Sequence, residues 1–301
     1  MWTNRDVLVT VASWEDRFLE GFKRVLGNVR TESVIMCYSD KYSEWTHSQR
    51  AEVAKLCKSR DVRLSDGVLY DGNPSKTWHE TLLPLFSRVP IGAVVGVDIT
   101  TMPRDVVWNT LWFLQYRKCE VGYVYHRPAA YGDWLSRDPD RPRLVYKMSG
   151  ITRMGARTAL VILAGYDVDR VRHLIEVFEP SVTLLGLQTN SLDPLNPERM
   201  KAVQDEFVGD NSVTTFSVDA FRADRGRNQV SQMISPIRET HNIVMASMGP
   251  KLTAIALYEL HTQHEDLGLV YLPSSEFNRE YSRGLGESLW GVIMQRSCSQ
   301  G

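Results

Sequence analysis

The stretch that decides the fold is Val7-Leu8-Val9-Thr10-Val11-Ala12-Ser13-Trp14-Glu15, which recurs at an offset of 152 as Ala159-Leu160-Val161-Ile162-Leu163-Ala164-Gly165-Tyr166-Asp167. In both copies an apolar, strand-like segment reaches a small residue, then an aromatic ring, then an acid. Each copy continues into a segment whose apolar residues follow a helical period. The chain is therefore predicted to contain two copies of one strand-helix unit.

A second agreement lies near the end of each half, at an offset of 146. Thr101-Met102-Pro103-Arg104 is followed by an apolar segment and by Val121-Gly122-Tyr123-Val124-Tyr125. The matching stretch is Ser247-Met248-Gly249-Pro250-Lys251, again followed by an apolar segment and by Leu267-Gly268-Leu269-Val270-Tyr271. Two agreements in the same order indicate an internal duplication.

Between these anchors, strand-like and helix-like segments alternate. The predicted strands are 6–12, 33–38, 62–69, 92–98, 120–126, 158–164, 182–188, 212–218, 242–247 and 266–272. The predicted helices are 15–27, 46–60, 74–87, 103–117, 167–178, 196–208, 224–240 and 250–261. This alternation predicts an α/β protein with two Rossmann-like units, each a mainly parallel, doubly wound sheet.

Composition sets the domain boundaries. Residues 1–126 form the first predicted repeat, and residues 127–157, rich in Pro, Gly and Arg, form a connector. Residues 158–301 form the second predicted repeat, with an extension from Ser274 and a last apolar segment at Leu289–Met294.

The overall charge argues against a protein that holds a long nucleic acid over an extended face. The 301 residues carry 35 Lys and Arg against 36 Asp and Glu, so the net charge is −1. No apolar stretch has membrane length and the N-terminus does not resemble a signal peptide, which predicts a cytoplasmic protein without membrane contact. The four cysteines, Cys37, Cys57, Cys119 and Cys298, are scattered. We therefore expect no disulfide framework, metal site or cofactor.

Candidate ligand-binding residues follow the strands at the edge where open α/β sheets bind ligands. After strand one come Ser13, Trp14, Glu15 and Arg17, with Tyr166 and Asp167 in the second copy. After strand four come Thr100, Thr101 and Arg104, matched by Ser247, Gly249 and Lys251. After strand five come Tyr125, Arg127 and Tyr131, matched by Tyr271, Glu276 and Phe277, with Tyr281 beyond.

The strand-four motif is typical of an anion site. Thr101 or Ser247 is expected to cap the following helix, and Arg104 or Lys251 adds a cation beside the free N–H groups of its first turn. The alternative is a well-capped helix whose basic residue is only solvated.

The cluster after strand one also allows two interpretations. Glu15 is suited to hold a ribose, Trp14 to stack a base and Arg17 to neutralise a phosphate. The alternative is a capping box, with Ser13 as N-cap and Asp16 reaching back to it.

The strand-four motifs resemble those of the CRISPR-associated Rossmann fold, or CARF, and its fused relative, the SAVED domain of antiphage systems. Ser247-Met248-Gly249-Pro250-Lys251 is similar to the Thr/Gly/Lys-type motif that opens the helix after strand four in CARF domains, with Thr100–Arg104 as a divergent copy. The resemblance implies that an oligonucleotide signal, cyclic or linear, binds across the interface of two CARF-like halves. It places Ser13, Glu15, Thr101, Arg104, Ser247 and Lys251 in the pocket.

The leading functional hypothesis is a sensor, or a signal-degrading subunit, that binds a small nucleotide or oligonucleotide in antiviral defence. Since no fused effector segment is visible, a separate effector protein is an expected partner. One alternative is a two-lobed transferase or hydrolase acting on a nucleotide or nucleotide sugar, with Glu15 or Asp167 as the candidate base. A non-catalytic assembly subunit is the other.

Overall fold

A computed structural model describes residue 2 and residues 4–191 and 193–295 of the chain. Cys298, one of the predicted free thiols, lies outside these residues. The chain divides into two compact units: unit 1 is Met1–Leu135 with Arg279–Gly301, and unit 2 is Ser136–Asn278.

The first part of unit 1 alternates strands and helices. Its elements are β1 (Asn4–Val11), α1 (Asp16–Asn28), β2 (Arg30–Ser39), α2 (His47–Ser59), β3 (Arg63–Leu69), α3 (Pro74–Lys76), a π-helical stretch (Thr77–Leu82), α4 (Leu83–Ser87), β4 (Val94–Asp98), α5 (Arg104–Tyr116) and β5 (Glu120–Tyr131). Unit 2 follows with β6 (Ser136–Pro139), β7 (Arg143–Leu144), β8 (Arg157–Leu163), α6 (Val168–Phe178), β9 (Val182–Gln188), α7 (Asn196–Glu206), β10 (Val213–Val218), α8 (Arg227–Ile234), β11 (His241–Ser247), α9 (Leu252–Gln263), β12 (Gly268–Tyr271) and β13 (Ser274–Phe277). The chain then returns to unit 1 as β14 (Ser282–Met294).

Both large sheets have the same strand order. In unit 1 the order is β3-β2-β1-β4-β5-β14, and in unit 2 it is β10-β9-β8-β11-β12-β7. The five strands of each strand-helix unit run parallel, and the edge strands β14 and β7 are antiparallel to their neighbours. The predicted fold class, two Rossmann-like units with mainly parallel sheets, is confirmed.

One layer of the core of each unit lies between the sheet and its first helix, and α5 and α9 bury further apolar side chains. In α1, Phe18, Phe22, Val25 and Leu26 recur at helical spacing and are buried against the sheet. In α6, Val171 and Leu174 are three residues apart and are buried in the core of unit 2. Each unit therefore buries its own apolar core.

Two predicted regions differ in the structure. The segment 127–157, expected to be an irregular connector, contains the end of β5 together with β6 and β7. The last apolar segment, expected in the second repeat, belongs to β14 and pairs with β5 of unit 1. Strand pairing between distant segments produces both differences, and neither segment has a local pattern that reveals its partner.

Among the described residues, no helix combines the length and the apolar character needed to cross a membrane. Cys37, Cys57 and Cys119 are buried free thiols. Burial raises the pKa of the Cys37 thiol to about 12.

Candidate functional site

The strand order reverses at equivalent places in the two sheets. In unit 1 the first strand, β1, lies beside β4, and in unit 2 β8 lies beside β11. In open α/β sheets such a reversal opens a crevice at the carboxyl ends of the two strands. The residues that follow β1 and β4, and those that follow β8 and β11, therefore lie at the positions expected for a ligand.

The strand register corrects the pairing of the strand-four motifs. Val9 is in register with Val97, and its counterpart Val161 is in register with Met245. Thr101 lies four residues beyond Val97 and Gly249 lies four residues beyond Met245, so Thr101 corresponds to Gly249, although the sequence comparison paired it with Ser247. Thr101 Oγ1 donates to the carbonyl of Val11 at 2.7 Å, whereas Met248 N and Gly249 N donate to that of Leu163, at 2.8 and 3.0 Å.

The same correction applies to the basic residues. Pro103 is the N-cap of α5 and Lys251 is the N-cap of α9, so Arg104, the first residue of α5, corresponds to Leu252. The predicted pairing of Arg104 with Lys251 is wrong by one position. The pairing rests on matching Met102 with Met248 and Pro103 with Pro250, and these matches do not follow the register of the strands.

The predicted helix caps at these motifs are also wrong. No side chain caps α5 or α9. Thr101 Oγ1 donates to the carbonyl of Val11 instead, and Oγ of the buried Ser247 lies 2.7 Å from Thr253 Oγ1. Both hydroxyls fix the loop to neighbouring elements.

After β1, the capping box proposed as the alternative does not form. Glu15 is the N-cap of α1, without a side-chain cap, and Ser13 Oγ accepts a hydrogen bond from Glu15 N at 3.2 Å. In unit 2, Asp167 is a true N-cap, since its Oδ1 accepts from Arg170 N at 3.2 Å.

Glu15 and Arg17 form a buried ion pair, with the carboxylate 2.8 Å from Arg17 Nε and exposures of 8% and 2%. Ser282 of β14 donates to the same carboxylate oxygen, Oε2, and Ser13 Oγ lies 3.5 Å from Oε1. Burial alone would lower the pKa of Arg17, but the charge and hydrogen bond of Glu15 raise it. Glu15 is thus held by its neighbours, which makes it a poor general base.

Tyrosine and arginine side chains gather around this ion pair. Burial raises the pKa of Tyr281, whose hydroxyl lies in the electrostatic field of Arg104, Glu15, Arg17 and Tyr125. The charges of Tyr125 and Tyr131 raise the pKa of the Arg17 guanidinium. We call Arg17, Arg104, Tyr125, Tyr131 and Tyr281 the tyrosine–arginine cluster.

The sequence analysis missed Ser282 as a site residue and placed Tyr281 in the second repeat. Tyr131 ends β5 and lies opposite Ser282 in the antiparallel pair with β14. The return of the chain to unit 1 brings Tyr281 into the same unit as Arg104. A repeat comparison cannot predict this, because it assigns the residues after strand five to their own half of the chain.

Trp14 belongs to a second group of rings in unit 1. Its centroid lies 5.0 Å from those of Tyr42 and Trp45, which are 5.1 Å from each other. The guanidinium of Arg279 lies 4.3 Å from the centre of the Trp45 ring. We call Trp14, Tyr42 and Trp45 the aromatic cluster.

In unit 2, the predicted site residues are engaged within the fold. Tyr166 donates to Asn196 Oδ1 at 3.0 Å, and burial raises its pKa to about 12. Tyr271 lies opposite Arg143, whose guanidinium is 5.2 Å from the ring.

The loops at the unit 2 reversal are in backbone contact. A Cβ on Gly165 would lie 2.4 Å from the carbonyl oxygen of Met248, and one on Gly249 would lie 2.8 Å from that of Ala164. These loops approach each other so closely that only glycine fits, and this reversal is closed by main chain.

The carboxylate of Asp167 accepts fewer hydrogen bonds from the described residues than that of Glu15. Oδ1 caps α6, whereas Oδ2 is buried and accepts no hydrogen bond from the described residues. Burial raises the pKa of the Asp167 carboxyl. Of the two predicted bases, Asp167 is the one with an uncommitted oxygen.

Three buried polar residues lie under α1 of unit 1. Val9 of β1 is in register with Val97 of β4, so the next residues, Thr10 and Asp98, lie side by side. His126 lies on β5, two residues beyond Val124, which is in register with Asp98. Thr10 Oγ1, Asp98 Oδ2 and His126 Nε2 are buried without a hydrogen-bond partner among the described residues. We call these three residues the buried polar trio.

Unit 2 has apolar residues at the three equivalent positions. Ile162 is in register with Ala246, which is in register with Val270, and Leu272 lies two residues further on. Ile162, Ala246 and Leu272 all belong to the apolar core under α6. The buried polar trio is therefore a feature of unit 1, at positions that are apolar in unit 2.

Within the described ranges, no group of three or more His, Cys, Asp or Glu residues is placed to hold a metal ion.

Comparison with solved structures finds the same fold in a Type III CRISPR defence DNA nuclease activated by cyclic oligoadenylate. The TM-score is 0.56 at 8% sequence identity, over 84% of this chain and 63% of the nuclease chain. The chain thus spans less than two thirds of that nuclease. No family model matches the sequence, and no curated protein matches it.

Proposed function

We propose that the chain binds a small, anionic nucleotide signal of the cyclic oligoadenylate class and acts as a sensor in antiviral defence. The observation that carries the proposal is the tyrosine–arginine cluster at the strand reversal of unit 1. It places the Arg104 cation and the hydroxyls of the partly exposed residues Tyr131 and Tyr281 where an open α/β sheet receives its ligands.

Arg104 is the direct phosphate contact in this proposal. It opens α5, so its guanidinium is added to the positive end of the helix dipole. Arg17 has a different role, because its Nε is bound to Glu15 and its Nη1 to the carbonyl of His126. We assign Arg17 to holding the loop after β1 in place.

The remaining candidates contribute around Arg104. Ser13, Trp14 and Thr101 lie in the loops after β1 and β4, while Thr100 and Tyr125 are buried behind them. Net charge near zero is compatible with this role, since a small ligand needs only a few placed cations.

The solved nuclease with the same fold supports the choice of ligand class, since cyclic oligoadenylate activates that protein. The CARF and SAVED resemblance of the strand-four motifs points the same way. We further propose that a separate effector protein carries out the response.

Titration calorimetry against cyclic and linear oligonucleotides tests the proposal. We expect a cyclic oligoadenylate to bind and Arg104→Ala to weaken binding at least tenfold, as loss of a charged hydrogen bond does. Lys251→Ala tests the motif of unit 2 separately. Lys55→Ala, on an exposed pair of α2, is the control and should bind as the unaltered chain does. No heat with any oligonucleotide would overturn the proposal.

A second candidate function is turnover of the bound nucleotide, which the uncommitted oxygen of Asp167 favours. A buried carboxyl with a raised pKa is suited to proton transfer near neutral pH. Asp167→Asn keeps an N-cap and removes the base. We expect it to abolish product formation, measured by chromatography, without loss of binding.

The control for turnover is Asp205→Asn, because Asp205 is exposed and pairs with Lys201 on the same helix, α7. If Asp167→Asn forms product at the rate of the Asp205→Asn control, Asp167 is not the base.

A further inference from the structure

The aromatic cluster stands at the same edge of unit 1 as the tyrosine–arginine cluster. Trp14 follows β1, and Tyr42 and Trp45 lie in the segment that joins β2 to α2. We propose that this aromatic cluster, together with Arg279, is a stacking site for one nucleobase of the signal. The inference rests on the proposed function and names the part of the ligand that these rings take.

The loop that carries two of the rings is held rigidly. Thr46 donates to the carbonyl of Tyr42 through both its N–H, at 3.2 Å, and its hydroxyl, at 3.3 Å. Arg50 Nη2 donates to the carbonyl of Ser43 at 2.9 Å. A platform that is already ordered loses little conformational entropy when a ligand binds.

Arg279 shows that the Trp45 ring accepts a planar cation. Its guanidinium lies 4.3 Å from the ring centre, while the residue is exposed and forms no ion pair with the residues that the structure describes. Guanidinium planes and nucleobases stack on indole rings in the same way. The positive charge beside the ring also suits a base that is linked to a phosphate.

Unit 2 lacks an equivalent platform at Tyr166. The Tyr166 hydroxyl is bound to Asn196, and the cation over its ring, Arg199, is paired with Asp193 at 3.3 Å. Both side chains are thus committed to the fold. The inferred base site is a property of unit 1.

Two probes separate stacking from phosphate binding: the cyclic oligoadenylate of the proposed function and a cyclic abasic oligomer of the same length. We expect Trp45→Ala and Arg279→Ala to weaken binding of the oligoadenylate about ten- to one-hundredfold, the usual effect of removing one stacking partner. Binding of the abasic oligomer should not change. Trp45→Phe, which keeps a ring, should retain most of the affinity.

Tryptophan fluorescence gives a second readout. Binding of the oligoadenylate should quench the emission, and the quenching should be reduced in Trp45→Phe. Trp112→Ala is the control, since Trp112 stacks on Tyr116 along α5. Because Arg279 is exposed, Arg279→Ala tests the site even where Trp45→Ala fails to fold.

The outcomes distinguish this inference from the proposed function. If the oligoadenylate binds and both alanine variants bind it as tightly as the unaltered chain, the base site is rejected and the sensor proposal stands. If the unaltered chain binds neither probe nor any cyclic oligonucleotide, both are rejected.

Discussion

Arg17 Nη1 donates a hydrogen bond to the main-chain carbonyl of His126 at 3.3 Å. In unit 2, Arg170 Nη2 donates to the carbonyl of Leu272, at the equivalent place beyond the fifth strand of that sheet. The duplicated arginine therefore ties the start of the first helix to the end of the fifth strand in both units. Arg17, which the sequence analysis assigned to a phosphate, thus has a structural role, and Arg170 repeats that role in unit 2.

This role predicts a large loss of stability in Arg17→Met. The substitution leaves the Glu15 carboxylate buried without its cation, which typically costs about 3–5 kcal/mol of the free energy of unfolding. Urea unfolding measures the loss, and the double variant with Glu15→Gln should recover part of it. Lys23→Met is the control, because its pair with Glu20 is exposed and contributes about 0.5 kcal/mol or less. Equal losses in the two single variants would refute the structural role.

The buried polar trio predicts opposite effects of two identical substitutions. Thr10 and Thr100 are both fully buried, but Thr10 Oγ1 has no partner among the described residues, whereas Thr100 Oγ1 accepts from His126 N at 2.9 Å. Thr10→Val should leave the free energy of unfolding unchanged or raise it. Thr100→Val should lower it by about 1–3 kcal/mol, since a buried N–H loses its acceptor. Denaturant titrations of both variants under one set of conditions decide this.

Two glycines of α1 form a second matched pair. A Cβ on Gly21 would lie 2.4 Å from Cδ2 of the His126 ring, while a Cβ on Gly27 meets nothing within 4 Å. Gly21→Ala should destabilise the protein by about 1–3 kcal/mol, because the ring must move. Gly27→Ala should stabilise it by up to about 1 kcal/mol through helix propensity. Thermal unfolding of the two variants should shift in opposite directions; stabilisation by Gly21→Ala would show that the His126 ring moves at no cost, and destabilisation by Gly27→Ala would contradict the expected gain in helix propensity.

His126 also predicts a dependence of stability on pH. Burial lowers its pKa, with Arg24 and Arg17 acting in the same direction and Asp98 against them; Ser288 faces its Nδ1 at 2.7 Å. The unfolded state therefore binds the proton more tightly than the folded state. The contribution of His126 to the free energy of unfolding is complete above the ordinary histidine pKa of about 6.5 and is lost as the pH falls below that value.

His126→Asn removes this titration while keeping a polar partner for Ser288. We expect the unaltered chain to lose more of its free energy of unfolding than the variant between about pH 8 and about pH 5. Parallel urea titrations at the two pH values measure the difference. Identical losses would show that His126 titrates alike in both states.

Local patterns along the chain were sufficient to predict the strand-helix alternation, since all ten predicted strands and eight predicted helical regions are present. The carboxyl-edge position of residues such as Trp14 and Arg104 followed from the same patterns. The pairing of Thr101 with Gly249 did not follow from them, because it depends on the register of β4 against β1 and of β11 against β8. The position of Tyr281 depends on the pairing of β14 with β5, at a sequence separation that no local period reports.

The return of β14 predicts that unit 2 can be removed as a block. Tyr131 of β5 lies opposite Ser282 of β14, so a short Gly/Ser linker from Leu135 to Arg279 spans the cut. The excised unit has adjacent ends, since Ser136 lies opposite Phe277. We expect both products to unfold cooperatively in urea, as followed by circular dichroism. A reconnected unit 1 without a cooperative transition would show that its fold needs the inserted unit.

The order of the strands along the chain also determines the order in which the units can be completed during synthesis. The sheet of unit 1 acquires its last strand only after the ribosome has made all of unit 2, an interval of roughly 10–30 s at ordinary elongation rates. Unit 2 can close first, while β5 waits for β14 with its edge unpaired. A nascent chain cut short within β14 would therefore lose the sheet that contains its own first residues and leave the later-made unit intact.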